Sequence, residues 1–209
     1  MRKLLIGLFL SISAGLATGG VYDEILDAAE RGDSSAVVSL LQRGMDINTT
    51  DRDGNTLLMI AARTGNIELI GFLVSNRAAI NQRNRFGDTA ILLAAIKGSL
   101  AGVELLHQGG AQLDPSGWTA LHYAVFSENI DLLEWLLKKG SKLDARAPNG
   151  QTALILAAKQ GKLAQVKLLV DADADMYLED YDVKSALAWA KAAGHDDVVA
   201  LLRSSGAVE

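Results

Sequence analysis

Histidine and carboxylate side chains are the groups in this chain that could carry out catalysis or hold a metal ion. The three histidines, His107, His122 and His195, are widely separated and show neither a metal-ligand spacing nor a catalytic pairing. The sequence contains no G-x-S-x-G, no Walker-type phosphate loop and no H-E-x-x-H motif. We therefore predict no catalytic residues, no metal ligands and no cofactor, and we expect that the protein is not an enzyme.

One acidic stretch, residues 171–182, leaves an alternative open. Hard cations such as Ca²⁺ bind oxygen ligands, and the first three of its carboxylates alternate as in an EF-hand loop, although Met176 stands where that loop needs glycine. The other interpretation is a solvated acidic connector between two structural units. The six carboxylates belong to Asp171, Asp173, Asp175, Glu179, Asp180 and Asp182.

The composition indicates a folded, helical and acidic protein. Hydrophobic residues make up 49% and charged residues 22% of the 209 residues, while only two prolines and 5% aromatic residues are present. The formal net charge is −5, which disfavours nucleic acid as a partner because phosphate binding needs a basic face. Cysteine is absent, which excludes disulfides and Cys-ligated zinc.

Residues 1–20 have the features of a secretory signal peptide. Arg2 and Lys3 precede an apolar run that starts at Leu4, and small residues follow at 17–20. The apolar run is about 14 residues long, whereas a membrane span needs roughly 20, so an uncleaved anchor or a buried helix is the weaker interpretation. We predict cleavage near Val21, a periplasmic or secreted location, and no membrane insertion after the signal is removed. Loss of the two cations would change the net charge from −5 to −7.

An internal repeat organises the rest of the chain. An alanine recurs at spacings of 33, 33, 30, 33 and 33 residues, and a leucine follows each alanine by 12 residues. Such a period indicates stacked supersecondary units that bury their apolar faces against each other. The alanines are Ala28, Ala61, Ala94, Ala124, Ala157 and Ala190, and the leucines are Leu40, Leu73, Leu106, Leu136, Leu169 and Leu202.

Each unit is predicted to form two short antiparallel helices. In the second unit, Thr56 is placed to cap a first helix that ends near Gly65, and Asn66 is placed to cap a second helix. Asp33, Ser99 and Asn129 occupy the position of Asn66 in other units, whereas Lys162 cannot cap in the same way. Gln165 is expected at the surface of its second helix.

The segment Gly117-Trp118-Thr119-Ala120-Leu121-His122-Tyr123-Ala124 and its counterparts resemble the ankyrin repeat. The resemblance extends over residues 21–208 and implies an all-α fold: an ankyrin-repeat solenoid of about six helix-turn-helix repeats joined by short β-turn fingers. It also implies that His122 hydrogen-bonds the neighbouring turn. The implied repeats are residues 21–50, 51–83, 84–113, 114–146, 147–179 and 180–209.

Several positions depart from the family pattern. The 30-residue spacing predicts a three-residue deletion between Leu113 and Gly117, which would shorten one finger and open the groove there. Arg77 and Asp173 replace the glycine that ends a second helix, and Glu128 replaces the glycine between two helices. We expect backbone strain at these three residues, because glycine adopts a positive φ most easily.

The resemblance implies a protein-binding function, with a protein partner held in the concave groove and on the fingers. The chain resembles short exported bacterial ankyrin proteins, which include immunity proteins and envelope factors that support stress enzymes. The alternative is a metal- or small-molecule-binding protein that uses the groove or the acidic stretch. Fold alone does not decide between them.

We predict a partner-binding surface centred on the second to fourth units. Exposed aromatic residues beside basic ones are typical of binding hot spots, and the basic groups favour an acidic partner surface. Packing between units is the alternative role of the aromatic residues. The predicted residues are Phe86, Trp118 and Phe126, flanked by Arg52, Arg63, Arg85 and Lys97.

Overall fold

A computed structural model describes residues 18–208 and contains twelve short α-helices and no strand in that part of the chain. Residues 1–17, which hold most of the predicted signal peptide, lie outside it. The helices are α1 (Thr18–Glu30), α2 (Ser34–Gln42), α3 (Leu57–Thr64), α4 (Ile67–Ser75), α5 (Ala90–Ile96), α6 (Leu100–Gln108), α7 (Ala120–Ser127), α8 (Ile130–Lys138), α9 (Ala153–Lys159), α10 (Leu163–Asp171), α11 (Ala186–Ala193) and α12 (Asp196–Ser204).

The helices form six consecutive pairs that stack side by side. Each odd-numbered helix packs on the even-numbered helix that follows it, and the odd-numbered helices from α1 to α11 also pack on one another in order. The even-numbered helices from α4 to α12 form a second row in the same way. This arrangement confirms the predicted all-α ankyrin-repeat solenoid.

Alanine and leucine at the repeat positions form the core. All six repeating alanines have no exposed surface, and the six repeating leucines are at most 3% exposed. Small alanine side chains let the first helices approach closely, while the leucines fill the space between the second helices. Large buried aliphatic side chains of this sort are each worth about 1.5–3 kcal/mol relative to an exposed position.

Side-chain caps define where the helices begin. Thr56 Oγ1 accepts a hydrogen bond from the Met59 amide at 3.2 Å, and α3 ends at Gly65 with a φ of +79°. Each cap predicted for a second helix is present, and Lys162 makes none. Caps of this type contribute roughly 0.5–2 kcal/mol each. The capping residues of the second helices are Asp33, Asn66, Ser99 and Asn129.

The backbone strain expected where glycine is replaced is present. Arg77, Glu128 and Asp173 have φ values of +64°, +59° and +66°, in the left-handed region that favours glycine. Val183 adopts a φ of +57°, which sequence reasoning did not predict. The turn that joins two consecutive repeats, here called a finger, carries glycine at this point in the other four fingers: Gly54, Gly87, Gly117 and Gly150. Val183 therefore keeps the turn geometry of the repeat at a cost of about 1–3 kcal/mol.

Gln165 departs from its expected surface position. The residue is only 2% exposed, and neither its amide nitrogen nor its carbonyl oxygen has a hydrogen-bond partner. Equivalent positions of other units hold buried apolar residues, including Leu69 and Leu132. The expectation was wrong because it followed the polar residue type, whereas the repeat register aligns Gln165 with these buried leucines.

Gln165→Leu is expected to stabilise the protein by about 1 kcal/mol or more, because it removes an unsatisfied buried amide that costs about 1–3 kcal/mol. Urea denaturation of both proteins measures the change. The matched control is Gln108→Leu at the exposed end of α6, which should change the free energy of unfolding by less than about 0.5 kcal/mol. A destabilised Gln165→Leu variant would show that the amide is satisfied in solution.

Candidate protein-binding surface

The structure brings the three predicted aromatic residues together. Phe86, at the tip of one finger, is 69% exposed, and Phe126, near the end of α7, is 42% exposed. The rings of Trp118 and Phe126 have centroids 6.1 Å apart, and Phe86 and Trp118 line the same small cavity. The three side chains therefore form one apolar surface across the third and fourth units.

Trp118 packs within its own unit, and its role in partner binding stays a prediction. Its ring packs edge-on against His122 and Tyr123, with centroid separations of 5.4 and 6.0 Å, and it is half-buried against the core. One face of the indole thus contributes to packing within its unit, while the ring also lines the cavity beside Phe86. The contacts with His122 and Tyr123 hold the indole ring in place.

His122 links two neighbouring units through a buried hydrogen-bond network. Its Nδ1 accepts from the Thr119 amide at 3.2 Å and lies 2.8 Å from Thr119 Oγ1, while its Nε2 lies 3.1 Å from the carbonyl oxygen of Gln151. This pattern requires a neutral ring with the proton on Nε2. Burial lowers the pKa of His122, which favours the same neutral form.

Tyr123 connects the aromatic surface to the preceding unit. Its hydroxyl donates a hydrogen bond to the Asp88 carboxylate, 35 residues earlier in the chain. Burial and the neighbouring Asp88 carboxylate raise the pKa of Tyr123 far above its usual value, so the hydroxyl remains a donor. Sequence reasoning missed this residue, because the position next to His122 carries no distinctive signal.

Ile96 is a further exposed apolar residue on the neighbouring first helix, and it was also missed. It is the last residue of α5 and is 44% exposed, close to the exposure of Phe126. The two residues are 30 apart and occupy the same repeat position, so aligning the units would have identified Ile96.

The four predicted basic residues do not form a uniform positive field. Arg63 pairs with Glu30, and Arg85 Nη1 lies 3.1 Å from Asp53 Oδ1, so two of the cations are already neutralised by neighbouring units. Lys97 is exposed at the end of α5.

Arg52 lines a hollow of about 510 Å³ between α1, α3 and the first finger, and most of the other charges in this hollow are negative. That an acidic surface of the partner binds at this end of the groove therefore stays a prediction. The carboxylates of the hollow are Asp23, Asp27, Glu30, Asp51 and Asp53.

The acidic stretch at 171–182 is used partly within the fold. Asp180 is buried in the last finger, where Oδ2 accepts from Gln151 Nε2 at 3.1 Å and from Trp189 Nε1 at 2.7 Å. Burial acts to raise the pKa of Asp180, but these hydrogen bonds outweigh it and the pKa is lowered. Asp171 pairs with Lys167 at 2.6 Å. Within residues 18–208, no three histidine or carboxylate side chains are grouped closely enough to hold a metal ion.

None of the helices between residues 18 and 208 has the length and apolar character needed to cross a membrane.

The chain belongs to the ankyrin-repeat family. Three copies of the ankyrin-repeat model match it, over residues 25–106, 66–147 and 141–208, which together cover most of its length. Members of this family are repeat scaffolds for protein interaction, and the predicted family is thereby confirmed.

Related proteins contain this type of domain within much longer chains. Neurogenic locus notch homolog protein 1 of Xenopus tropicalis is 36% identical over 197 residues, which is 92% of this chain and 6% of the relative. The nuclear factor NF-kappa-B p105 subunit of Gallus gallus is 34% identical over 157 residues, covering 71% of this chain and 16% of the relative. The chain therefore spans less than a fifth of these animal relatives, and an exported bacterial origin stays a prediction.

Solved structures show the same architecture. The ankyrin repeat domain of human ASB11 superposes with a TM-score of 0.81 at 25% identity, covering 88% of this chain and 84% of that chain. A chain from the complex of the Bd0816 predatory endopeptidase of Bdellovibrio bacteriovorus with the immunity protein Bd3460 gives a TM-score of 0.78 at 30% identity. That match covers 87% of this chain and 97% of the other.

The free energy of unfolding is expected to decrease as the pH falls through about 6.5, the usual pKa of histidine, because the unfolded chain then binds a proton that buried His122 resists. Each tenfold difference in proton affinity is worth about 1.4 kcal/mol. Urea denaturation at pH 7.5 and pH 5.0 should show a smaller loss in His122→Asn than in the unchanged protein. Equal losses in the two proteins would exclude His122 as the source.

Proposed function

We propose that this protein is an exported, non-catalytic scaffold that holds a protein partner on the apolar surface formed by Phe86, Ile96, Trp118 and Phe126. The observation that carries the proposal is the exposure of this surface. Phe86 is 69%, Ile96 44% and Phe126 42% exposed. Exposed aromatic residues in a contiguous patch are characteristic of protein-binding sites.

The fixed geometry beneath the surface supports the same proposal. Trp118 is held by His122 and Tyr123, and Tyr123 is in turn bonded to Asp88 of the preceding unit. A surface that is already ordered before binding loses little conformational entropy when a partner is bound. The aromatic residues therefore suit the role of anchors.

Similarity to a chain from a complex between an endopeptidase and an immunity protein favours an inhibitor or immunity role within this class. Support for an envelope stress enzyme is the other role that the sequence resemblance implies. In either role the partner is recognised by shape and apolar contact, and the chain contributes no reacting group.

Export is proposed from residues 1–20 alone, and the predicted location is periplasmic or secreted. Cleavage near Val21 would remove only the first three residues of α1, because that helix continues to Glu30. The buried residues Ile25, Ala28 and Ala29 would remain to pack the first unit.

Phe86→Ala and Phe126→Ala are each expected to weaken binding of a partner obtained by pull-down by about 2 kcal/mol, as loss of an anchor does. Calorimetric titration measures the affinity, and a thermal melt of each variant should stay close to that of the unchanged protein. Leu163→Ala, on a second helix and 40% exposed, is the matched control that should leave affinity intact.

Unchanged affinity in both phenylalanine variants would contradict the proposed surface. A clear fall in melting temperature without a change in affinity would instead assign the two residues to packing between units.

Fractionation of cells that express the full chain should recover a protein that begins near Val21 outside the cytoplasm. N-terminal sequencing of each fraction measures this directly. A variant in which Arg2 and Lys3 are both changed to Glu is the control, because it removes the positive charge that a signal peptide needs. Recovery of intact Met1 in a soluble cytoplasmic fraction would contradict export.

A further inference from the structure

The finger that joins the third and fourth units lacks its tip. Asp114 Oδ2 accepts a hydrogen bond from the Lys142 amide, as Asn81 Oδ1 does from Gln112, so these two residues occupy equivalent positions. Three residues follow from Asp114 to Gly117, whereas six follow from Asn81 to the corresponding Gly87. The missing residues are thus the counterparts of residues 84–86.

The loss of the tip removes the hydrogen bonds that close the other fingers. In the finger of residues 84–88, the Asn84 amide donates to the Asp88 carbonyl and the Gly87 amide donates to the Asn84 carbonyl, both at 3.0 Å. The fingers at 51–55, 147–151 and 180–184 contain the same two bonds. Among the described residues, the finger at 114–118 contains neither.

The neighbouring fingers lose their partners as a consequence. Elsewhere, adjacent fingers are joined by a backbone bond, from the Arg85 amide to the Asp53 carbonyl at 3.0 Å and from Tyr181 to Asn149 at 3.4 Å. Beside the shortened finger, the donor position is held by Pro148, which has no N–H group. On the other side no finger tip lies beside Phe86, and its side chain is 69% exposed.

A notch of about 190 Å³ occupies the place of the missing tip. Phe86 and Pro148 form its two sides, and Gly117 and Trp118 lie between them. Arg83 braces the shortened finger, because its guanidinium donates to the Ser116 carbonyl at 3.1 Å and to the Gly87 carbonyl at 3.2 Å. These bonds fix the position of Ser116 relative to Gly87, so one wall of the notch is already hydrogen-bonded in the free protein.

We propose that this notch binds a single uncharged aromatic side chain of the protein partner, an inference that rests on the proposed function and deepens it. Its volume is below the range of roughly 300–1,000 Å³ typical of small-molecule sites, so one large side chain matches it better than a cofactor does. The rings of Phe86, Trp118 and Pro148 line it, and aromatic rings pack favourably edge-to-face or offset against one another.

The charges in the notch favour an uncharged group. Of the residues that line it, only Arg83 and Asp88 are charged, and their charges are opposite. Arg83 is engaged by Ser116 and Gly87, and Asp88 accepts from the Tyr123 hydroxyl. A lysine or glutamate side chain would lose its hydration here without gaining an unpaired ion of opposite charge.

The probe for this proposal is N-acetyl-L-tryptophanamide, titrated into the isotope-labelled full domain and followed by NMR. The amide signals of Gly87 and Gly117 and the indole signal of Trp118 should shift in a saturable way, whereas N-acetyl-L-lysinamide and N-acetyl-L-glutamic acid amide should not shift them. No shift with the aromatic probe, or equal shifts with a charged probe, would overturn the proposal.

A finger-restoring variant provides the structural test. Insertion of Asp-Arg-Asp between Ser116 and Gly117, copied from residues 51–53, should fill the notch and abolish the probe shifts while the melting temperature stays the same or rises. If the insertion variant does not fold, Phe86→Ala provides the test, because it removes one side of the notch. This variant should bind the aromatic probe at least fivefold more weakly, and Leu163→Ala is the control. Undiminished binding in the folded variants would overturn the notch assignment.

Failure of the notch proposal is distinguishable from failure of the proposed function. The probe titration needs no partner. A notch that binds no aromatic probe therefore overturns only the inference that an aromatic side chain of the partner occupies the notch. A partner whose affinity is insensitive to Phe86 and Phe126 overturns the binding surface itself.

Discussion

Stacking of neighbouring units is the constraint on which this structure depends. Each helix pair has an apolar face that it cannot bury alone, and the close approach of the first helices requires alanine where they meet. Ala61, Ala94 and Ala124 accordingly have no exposed surface. Because every unit is stabilised by its neighbours, a change in one unit is transmitted mainly to the two beside it.

Hydrogen bonds between successive units add geometric precision to this packing. The Asn66 amide group donates to the Gly32 carbonyl and the Asn129 amide group to the Gly98 carbonyl, so the residues that cap second helices also tie them to the preceding unit. At the same position, His195 contacts the Lys159 carbonyl, and Lys162 instead pairs with Glu128. Glu128, which this ion pair holds, has a positive φ of +59°.

The candidate function arises where this regularity is interrupted. A regular stack would place the next finger tip beside Phe86 and would pair the fingers by backbone bonds on both sides. The deletion removes that tip in the middle of the solenoid, beside Trp118 and Phe126, so that the exposed aromatic residues and the notch share one location. The proposed binding site is thus a local gap in an otherwise regular stack.

The sequence alone determined the repeat, the helix caps, the buried alanines and leucines, and the shortened finger, because these follow from local periodicity and capping chemistry. It also placed Phe86, Trp118 and Phe126 on one face through the repeat register. Only the tertiary structure decided the pairing of Arg63 with Glu30 and of Arg85 with Asp53, and the bond from Tyr123 to Asp88. These contacts join residues about 30 positions apart, and neither the period nor the residue type specifies the side-chain conformations that make them.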